Sequence, residues 1–338
     1  MNKMKQVWFT EENKIEICNV EIPSVEFNQV KIKIAYASIC ATDVHMVTMG
    51  VMGAKPPIPL GHEASGTIVE IDEHAKKSGL KVGDKVCLFP ISTCNICEFC
   101  KSGKHQYCVN PKGIGAFAEY VVTDVSAVYK IPDNANLKHY SLVEPTNCVL
   151  RALDLVSIKA GSNVAISGIG GIGSIMLKMI LLSGAANITV IEPIQSKREN
   201  ALKLGVNNVI NPLTEDIVEK SREITKGRGY DYIFEMSGVP SAAYPALKTV
   251  AKCGTVIYFA VYPPNFEMSL NLYELYMKEA RIQTVFTDPE IMPRSINMIN
   301  RLNMDDVIGK VMPLSNALEA IELFNKSIYP KIILDCSK

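Results

Sequence analysis

The chain carries no charge excess, no apolar leader and no stretch long enough to cross a bilayer. Lys plus Arg and Asp plus Glu balance at 35 each, so there is no basic footprint for nucleic acid or for an anionic membrane surface. The opening residues, Met-Asn-Lys-Met-Lys-Gln-Val, lack the apolar core of a secretory signal. No apolar run approaches the ~20 residues that span a membrane. Even Ile175 to Leu182 is broken by Lys178 and followed by Gly184. Without a secretory signal, ten cysteines point to a reducing compartment, the cytoplasm, and four of them are spaced as metal ligands are. What is present is otherwise ordinary: 48% hydrophobic and 21% charged residues over 338 positions, a length that suggests two domains.

Taken in order, residues 1 to about 35 read as extended segments. The last, Val30 to Tyr36, alternates like a half-exposed strand. It leads into Ser38-Ile39-Cys40-Ala41-Thr42-Asp43-Val44-His45, which places a thiol, a hydroxyl, a carboxylate and an imidazole within eight residues. A lone cysteine is usually inert packing. A Gly/Pro-rich connection, Gly53 to Pro59, then precedes Leu60-Gly61-His62-Glu63 at the mouth of another strand. An isolated His-Glu pair would be a surface pair. Beside Cys40 it reads differently, because zinc accepts thiolate, imidazole and carboxylate together.

Cys94, Cys97, Cys100 and Cys108 form C-x2-C-x2-C-x7-C. Four thiolates at short spacing make a closed tetrahedral zinc site with no room for substrate, so this lobe, spanning 90–110, is structural. A strand from Phe117 to Val122 and another from Ala127 to Pro132 follow, and a helix beginning near Ser141 carries Glu144-Pro145.

From residue 162 strands and helices alternate. The strand Asn163 to Ser167 runs into Gly168-Ile169-Gly170-Gly171-Ile172-Gly173 and an apolar helix, and a second strand, Ile188 to Ile191, ends in Glu192. GxGxxG alone is weak; between a strand and a helix, with an acid about 20 residues on, it is the dinucleotide fingerprint. Glu192 would accept hydrogen bonds from the adenosine ribose and repel a 2′-phosphate, which predicts NAD. Lys197 and Arg198 keep NADP open. Ser237 and Val261 join these as cofactor candidates. Helices are expected near 196–204, 214–226, 240–252 and 272–279, with strands 208–210, 232–235, 255–261 and 281–286. Such alternation makes a parallel doubly wound sheet. After Asp288-Pro289 it stops; helices near 293–302 and 315–325 and a strand Lys331 to Asp335 return to the first domain.

The ordered set Ser-Ile-Cys-Ala-Thr-Asp-Val-His, Gly-His-Glu, four clustered cysteines, Phe-Ala-Glu-Tyr, Glu-Pro and Gly-x-Gly-x-x-Gly resembles the zinc-dependent medium-chain dehydrogenase/reductase family. Within it the chain looks most like the sorbitol, threonine and butanediol dehydrogenase branch. The resemblance covers essentially the whole chain. It implies a GroES-like, mostly β catalytic domain over 1–147 and 288–338, and a Rossmann NAD-binding domain over 148–287.

It also implies two zincs per chain. The catalytic one is held by Cys40 and His62 with Glu63 or Glu144, and Asp43 braces His62. The implied reaction is hydride transfer between a secondary alcohol or polyol and NAD. Zinc stabilises the alkoxide, and Thr42 and His45 relay the proton. The implied substrate pocket includes Met46, Met49, Phe117, Asn147 and Phe286. A homodimer or homotetramer through the edge strand near Arg281 to Phe286 is implied as well.

Ser38, Ala41 and Gly115-Ala116 depart from the family's glycines as small-for-small exchanges. Asn147 and Cys148 stand where small apolar residues are common. The alternatives are a dehydrogenase or ketone reductase for a bulkier cyclic or amino alcohol, and an inactive dinucleotide- and zinc-binding paralogue. A zinc-ribbon nucleic-acid binder conflicts with the neutral charge and with the Rossmann half.

Overall fold

A computed structural model of the protein describes residues 3–338. The described residues divide into two compact units, one of residues 3–147 and 287–338, the other of 148–286.

In the first unit the long strand Gln29–Ser38 is the spine of a seven-stranded sheet. It pairs antiparallel with Glu63–Ile71 on one side and with Lys331–Asp335 on the other. Lys331–Asp335 continues, in parallel, to Ile308–Pro313. The inward side chains of the spine, Val30, Ile32 and Ile34, are buried, while Lys31 and Lys33 alternate away from them. This is the period-2 pattern of a strand with one face on a core. Gly66 sits opposite the spine because no side chain fits there: a Cβ would lie 2.3 Å from the Lys33 carbonyl oxygen. Pairing Ser38 with Glu63 and with Ile333 draws the ends of three distant segments together. That corner carries the site.

Beyond Ser38 the chain does not stay extended. It turns at Cys40 and forms the helix Ala41–Met49, closed by Gly50 in the left-handed conformation. Thr42, Val44, Val47 and Thr48 are poor helix formers, which is why no helix was expected here. A tertiary cap, described below, overrides the propensity.

The second unit is a six-stranded sheet in the order Asn208–Ile210, Asn187–Ile191, Asn163–Ser167, Tyr230–Glu235, Val250–Tyr258, Arg281–Thr284. Every pairing is parallel. The chain order reverses at Asn163–Ser167, so the crevice beyond the carboxyl ends of that strand and of Tyr230–Glu235 is the topological switch point. Several boundaries differ from expectation, most of all at one junction. The helix Pro240–Lys248 ends early, and the next strand begins at Val250 rather than at 255. The Thr249 hydroxyl donates to the Pro245 and Ala246 carbonyls and stops the helix. The register then shifts between Tyr230 and Tyr232, around Cys253 at φ +60° and Gly254. Gly254 has no room for a side chain, since a Cβ would meet the Tyr230 carbonyl oxygen at 2.9 Å.

Candidate active site and metal centres

Cys40 is the N-cap of the helix Ala41–Met49, with extended backbone at φ −110° and ψ 149°. Three residues on, Asp43 is buried and its carboxylate works in three directions. It accepts from the Cys40 amide at 3.2 Å, from the Gly61 amide at 3.0 Å, and lies 3.0 Å from His62 Nδ1. One side chain therefore caps the helix, fixes the loop before His62 and orients the imidazole. With Nδ1 on Asp43, Nε2 is the nitrogen left for a metal. Gly61, at φ +93°, is packed so tightly on Phe117 that a Cβ would come within 2.5 Å of its ring.

One ligand atom each from Cys40, His62 and Glu63 fit within 4.8 Å of one another, a span one ion can bridge. Burial disfavours a charged His62, but the Asp43 carboxylate and the Cys40 sulfur outweigh it and raise its pKa well above the usual value. Such a concentration of negative donors suits a divalent cation. Glu63 is buried, and both of its oxygens lie 2.6 Å from Lys331 Nζ, which also donates to the Ile39 carbonyl at 3.1 Å. Lys331 is itself buried. Desolvation would lower its pKa; Glu63 foremost, then Cys40 and more weakly Glu144, raise it instead. Glu144 is buried on the helix Val143–Val156 and lies outside the three-residue cluster.

Thr42 and His45 are three apart on the helix that Cys40 caps and therefore share a face. His45 Nδ1 is buried without a hydrogen-bond partner, and burial lowers the imidazole's pKa, so it is neutral and able to accept a proton at neutral pH.

The four cysteines of the second cluster also converge within 4.8 Å. Cys97 caps the short helix Glu98–Lys101, and its Sγ lies 3.5 Å from that of Cys100. The amides of Cys100 and Val109 hold the Cys97 thiol down to about 6. The amides of Cys94 and Asn110 point at Cys108 Sγ at 3.2 and 3.4 Å. Burial pushes Cys100 up to about 12, so without a cation the four sulfurs do not all ionise readily. Packed sulfurs with amides aimed at them are what a tetrathiolate metal site requires. Ile96 and Val109 are exposed here, and the lobe has few buried apolar side chains of its own.

In the second unit Gly170 caps the helix Gly171–Leu181. Gly173 is needed for packing, since a Cβ there would lie 2.1 Å from the Gly168 carbonyl oxygen, and Gly168 at φ +86° abuts Ser237. Gly170 has nothing within 4 Å of its Cβ position. The tight turn, the close helix and the open approach at Gly170 fit a pyrophosphate held by the first-turn amides of Gly171 and Ile172. Glu192 is buried below this loop, its two oxygens accepting from the amides of Ile169 at 3.0 Å and Ile194 at 3.1 Å.

Matches to known proteins agree with this geometry. Residues 26–133 match the alcohol dehydrogenase GroES-like domain, and residues 171–301 match the zinc-binding dehydrogenase domain. The chain belongs to the zinc-dependent medium-chain alcohol dehydrogenases. Sorbitol dehydrogenase of Bacillus subtilis is 30% identical over 88% of this chain and 86% of its own. An L-threonine 3-dehydrogenase of Caldanaerobacter subterraneus is 36% identical over 76% and 75%. A chain from Clostridium scindens, described as a zinc-binding dehydrogenase, superposes with a TM-score of 0.93 at 33% identity, covering 99% and 100%. The protein is an oxidoreductase acting on CH–OH groups with zinc and a nicotinamide dinucleotide.

Within this dehydrogenase several site residues sit otherwise than expected. Phe117 is fully buried in the core of the first unit and offers no surface to a substrate; it supports Gly61 instead. Asn147 is also fully buried. Its amide donates to the Asp288 carbonyl at 2.7 Å and its Oδ1 accepts from the Asp288 amide and the Thr287 hydroxyl, so it fastens the returning chain. Both are withdrawn from the pocket. Met46 and Met49 are part-buried on the helix after Cys40, and Phe286 is exposed on the second unit. Arg198 donates from one guanidinium nitrogen to the Glu192 and Pro193 carbonyls at 2.7 Å, which ties it to the turn.

Two residues with clear roles went unseen in the sequence. Lys331 has one signal, a lysine opening a strand that is otherwise apolar. Glu235 is fully buried at the end of its strand. It accepts from the amides of Ser237 and Gly238 at 3.0 and 3.2 Å and from the hydroxyls of Ser237 and Tyr262. It thereby organises the loop that carries Ser237. Its signal was a carboxylate ending an apolar strand, the same signal that singled out Glu192.

Proposed function

We propose that Cys40, His62 and Glu63 hold the catalytic zinc, and that the enzyme oxidises a secondary alcohol bearing a hydroxyl or amino group on the adjacent carbon. The observation that carries the metal assignment is the convergence of these three donors, with Asp43 fixing one imidazole nitrogen and Lys331 fixing the carboxylate. Between the two acids, Glu63 is favoured because it belongs to the cluster and Glu144 does not. The substrate class is the chemistry shared by the names of the relatives: sorbitol, threonine and butanediol each carry a secondary hydroxyl beside a hydroxyl or an amine.

Zinc, when bound, supplies a Lewis acid that lowers the pKa of the substrate hydroxyl. The dinucleotide supplies the hydride acceptor. The chain's own residues do the rest. Asp43 keeps the His62 tautomer and ring orientation. Thr42 accepts the substrate hydroxyl's proton as it passes its own on toward His45, which is neutral, has Nδ1 unpartnered, and takes the proton up. Met46 and Met49 line the approach with apolar, adaptable surface. The amides of Gly171 and Ile172 bind the pyrophosphate, and Ser237 and Val261 flank the cofactor. Cys94, Cys97, Cys100 and Cys108 hold the structural zinc.

The Glu192 oxygens already accept backbone amides, so the preference for NAD rests on the negative charge it places beneath the adenosine site rather than on a free oxygen. Comparing NAD with NADP at equal concentration checks this, and a clear NADP preference contradicts it. Screening vicinal diols, amino alcohols and their ketones, with absorbance of the reduced dinucleotide as readout, tests the substrate class. Turnover confined to simple monohydric alcohols would overturn it.

The protein is proposed to assemble as a homodimer or homotetramer through Arg281–Thr284. That strand ends the six-stranded sheet, and Leu272, Tyr273, Tyr276 and Ile282 are exposed beside it. Light scattering that finds only monomer contradicts this. No helix among the described residues is long and apolar enough to cross a membrane. No disulfide joins the ten cysteines among the described residues, which supports a reducing, cytoplasmic location.

A further inference from the structure

A cavity of about 1390 Å³ in the second unit does not lie at the glycine-rich loop. It opens at the amino ends of the strands, lined by Asn163, Asp231, Val250 to Cys253, Thr255 and Arg281, whereas the loop follows the carboxyl end of Asn163–Ser167. In a parallel sheet these are opposite edges. A five-residue strand separates them by roughly 16 Å at about 3.3 Å per residue.

The lining is strongly cationic. It holds Lys159, Arg222, Arg228, Lys248, Lys252, Lys278 and Arg281 against two carboxylates, Asp231 and Glu274. Glu274 is paired with Lys248 and Lys278, and an oxygen of Asp231 accepts the Asn163 amide at 2.8 Å. The other five cations form no ion pair among the described residues. The chain as a whole is neutral, so this concentration is a local choice of the fold.

One structural explanation competes. The helices Val143–Val156, Ile217–Ile224, Pro240–Lys248 and Leu272–Lys278 all end at this cavity, and cations complement helix carboxyl ends. Each such end is worth roughly half a negative charge. Four of them neutralise about two of the five surplus positive charges and leave about three. Lys159, Arg228, Lys252 and Arg281 also lie outside any helix. In the lining, Ser221 is buried, with its hydroxyl beside that of Tyr230. A concave site with a surplus of about three positive charges calls for a small ligand with several negative charges close together.

We propose that this cavity binds a small molecule carrying two or more linked phosphate groups, at a site separate from the dinucleotide. Guanidinium groups from Arg222 and Arg228 pair with phosphate oxygens bidentately, and Lys159 and Lys252 close the field around them. The ligand's source is inorganic polyphosphate or a nucleoside polyphosphate; the phosphate chemistry is common to both.

The test uses the full-length, zinc-loaded protein saturated with NAD, so that the glycine-rich loop is filled. Tripolyphosphate and, separately, ATP are titrated calorimetrically in magnesium-free buffer, with sulfate at matched ionic strength as control. One site per chain, weakened by added salt, is expected for tripolyphosphate. A nucleoside source is indicated if ATP binds more tightly, and an inorganic one if the two are equal. In the double variant Arg228→Glu/Lys252→Glu binding should fall on the order of tenfold or more, with dinucleotide affinity and alcohol turnover unchanged. Should that variant fold poorly, Arg228→Gln/Lys252→Gln gives the same reading with smaller loss. Absence of binding, equal binding of sulfate, displacement by NAD, or binding unchanged in the variants would each overturn the proposal. None of these outcomes depends on the identity of the alcohol substrate.

Discussion

A lysine and a glutamate buried together are stable only as a pair, because either one alone leaves an uncompensated charge in a dry site. Lys331 and Glu63 are such a pair, both nearly inaccessible. Lys331→Met should lower unfolding stability by about 3–5 kcal/mol, read as a lower urea midpoint, and adding Glu63→Gln should restore part of it. If the double variant is no more stable than the single, the pair is not what holds Lys331 in place. At the same scale, His45 carries a directional pH prediction. Burial lowers its folded pKa below the ordinary 6.5. Between the two values the unfolded chain binds more protons, so this residue's share of stability is present above pH 6.5 and lost as pH falls through the folded pKa. For the same reason the relay imidazole stays competent down to pH 6.5, and turnover should decline only below it. His45→Gln should lower kcat about a hundredfold, the low end of general acid–base effects, and remove that acid limb. An unchanged profile would take His45 out of the relay.

Elements show why some of the site was legible in the sequence and some was not. The four cysteines and the glycine-rich loop lie within short runs whose spacing is set by local backbone geometry, so their chemistry reads directly. The helix Ala41–Met49 was hidden because its β-branched residues favour a strand, and its start depends on Asp43 also holding Gly61 and His62. The glycine loop allows a paired test within one element. Gly170→Ala meets open space and should fold normally, yet its methyl group occupies the approach of the pyrophosphate and should weaken dinucleotide binding about tenfold. Gly173→Ala collides with the Gly168 carbonyl and should cost about 1–3 kcal/mol of stability. Equal effects of the two on unfolding would contradict the separate roles assigned to them.

Across the whole molecule, the residues that sequence could not reach are joined by topology. Glu63 and Lys331 lie 268 positions apart and meet because the last strand pairs with the strand that ends at Ser38. Asn147 was assigned to the pocket from its neighbours in sequence, while its partners lie 141 positions away. Phe117, read from a strand motif, is core for a similar reason: the glycine it supports is Gly61. The two-part architecture and the parallel sheet were legible, because alternating strands and helices over so long a stretch permit few other solutions. Substrate identity was not, since it depends on side chains whose exposure only the folded chain determines.

In the proposed mechanism the open metal site at Cys40, His62 and Glu63 is separate from the closed cysteine lobe and responsible for the chemistry. Metal analysis of the native protein and of Cys40→Ser, each assayed for turnover and for dinucleotide binding, tests that most directly. Two zincs per native chain should fall to one in Cys40→Ser, with turnover abolished and dinucleotide binding kept. A Cys40→Ser protein that retains both zincs and turns over substrate would contradict it.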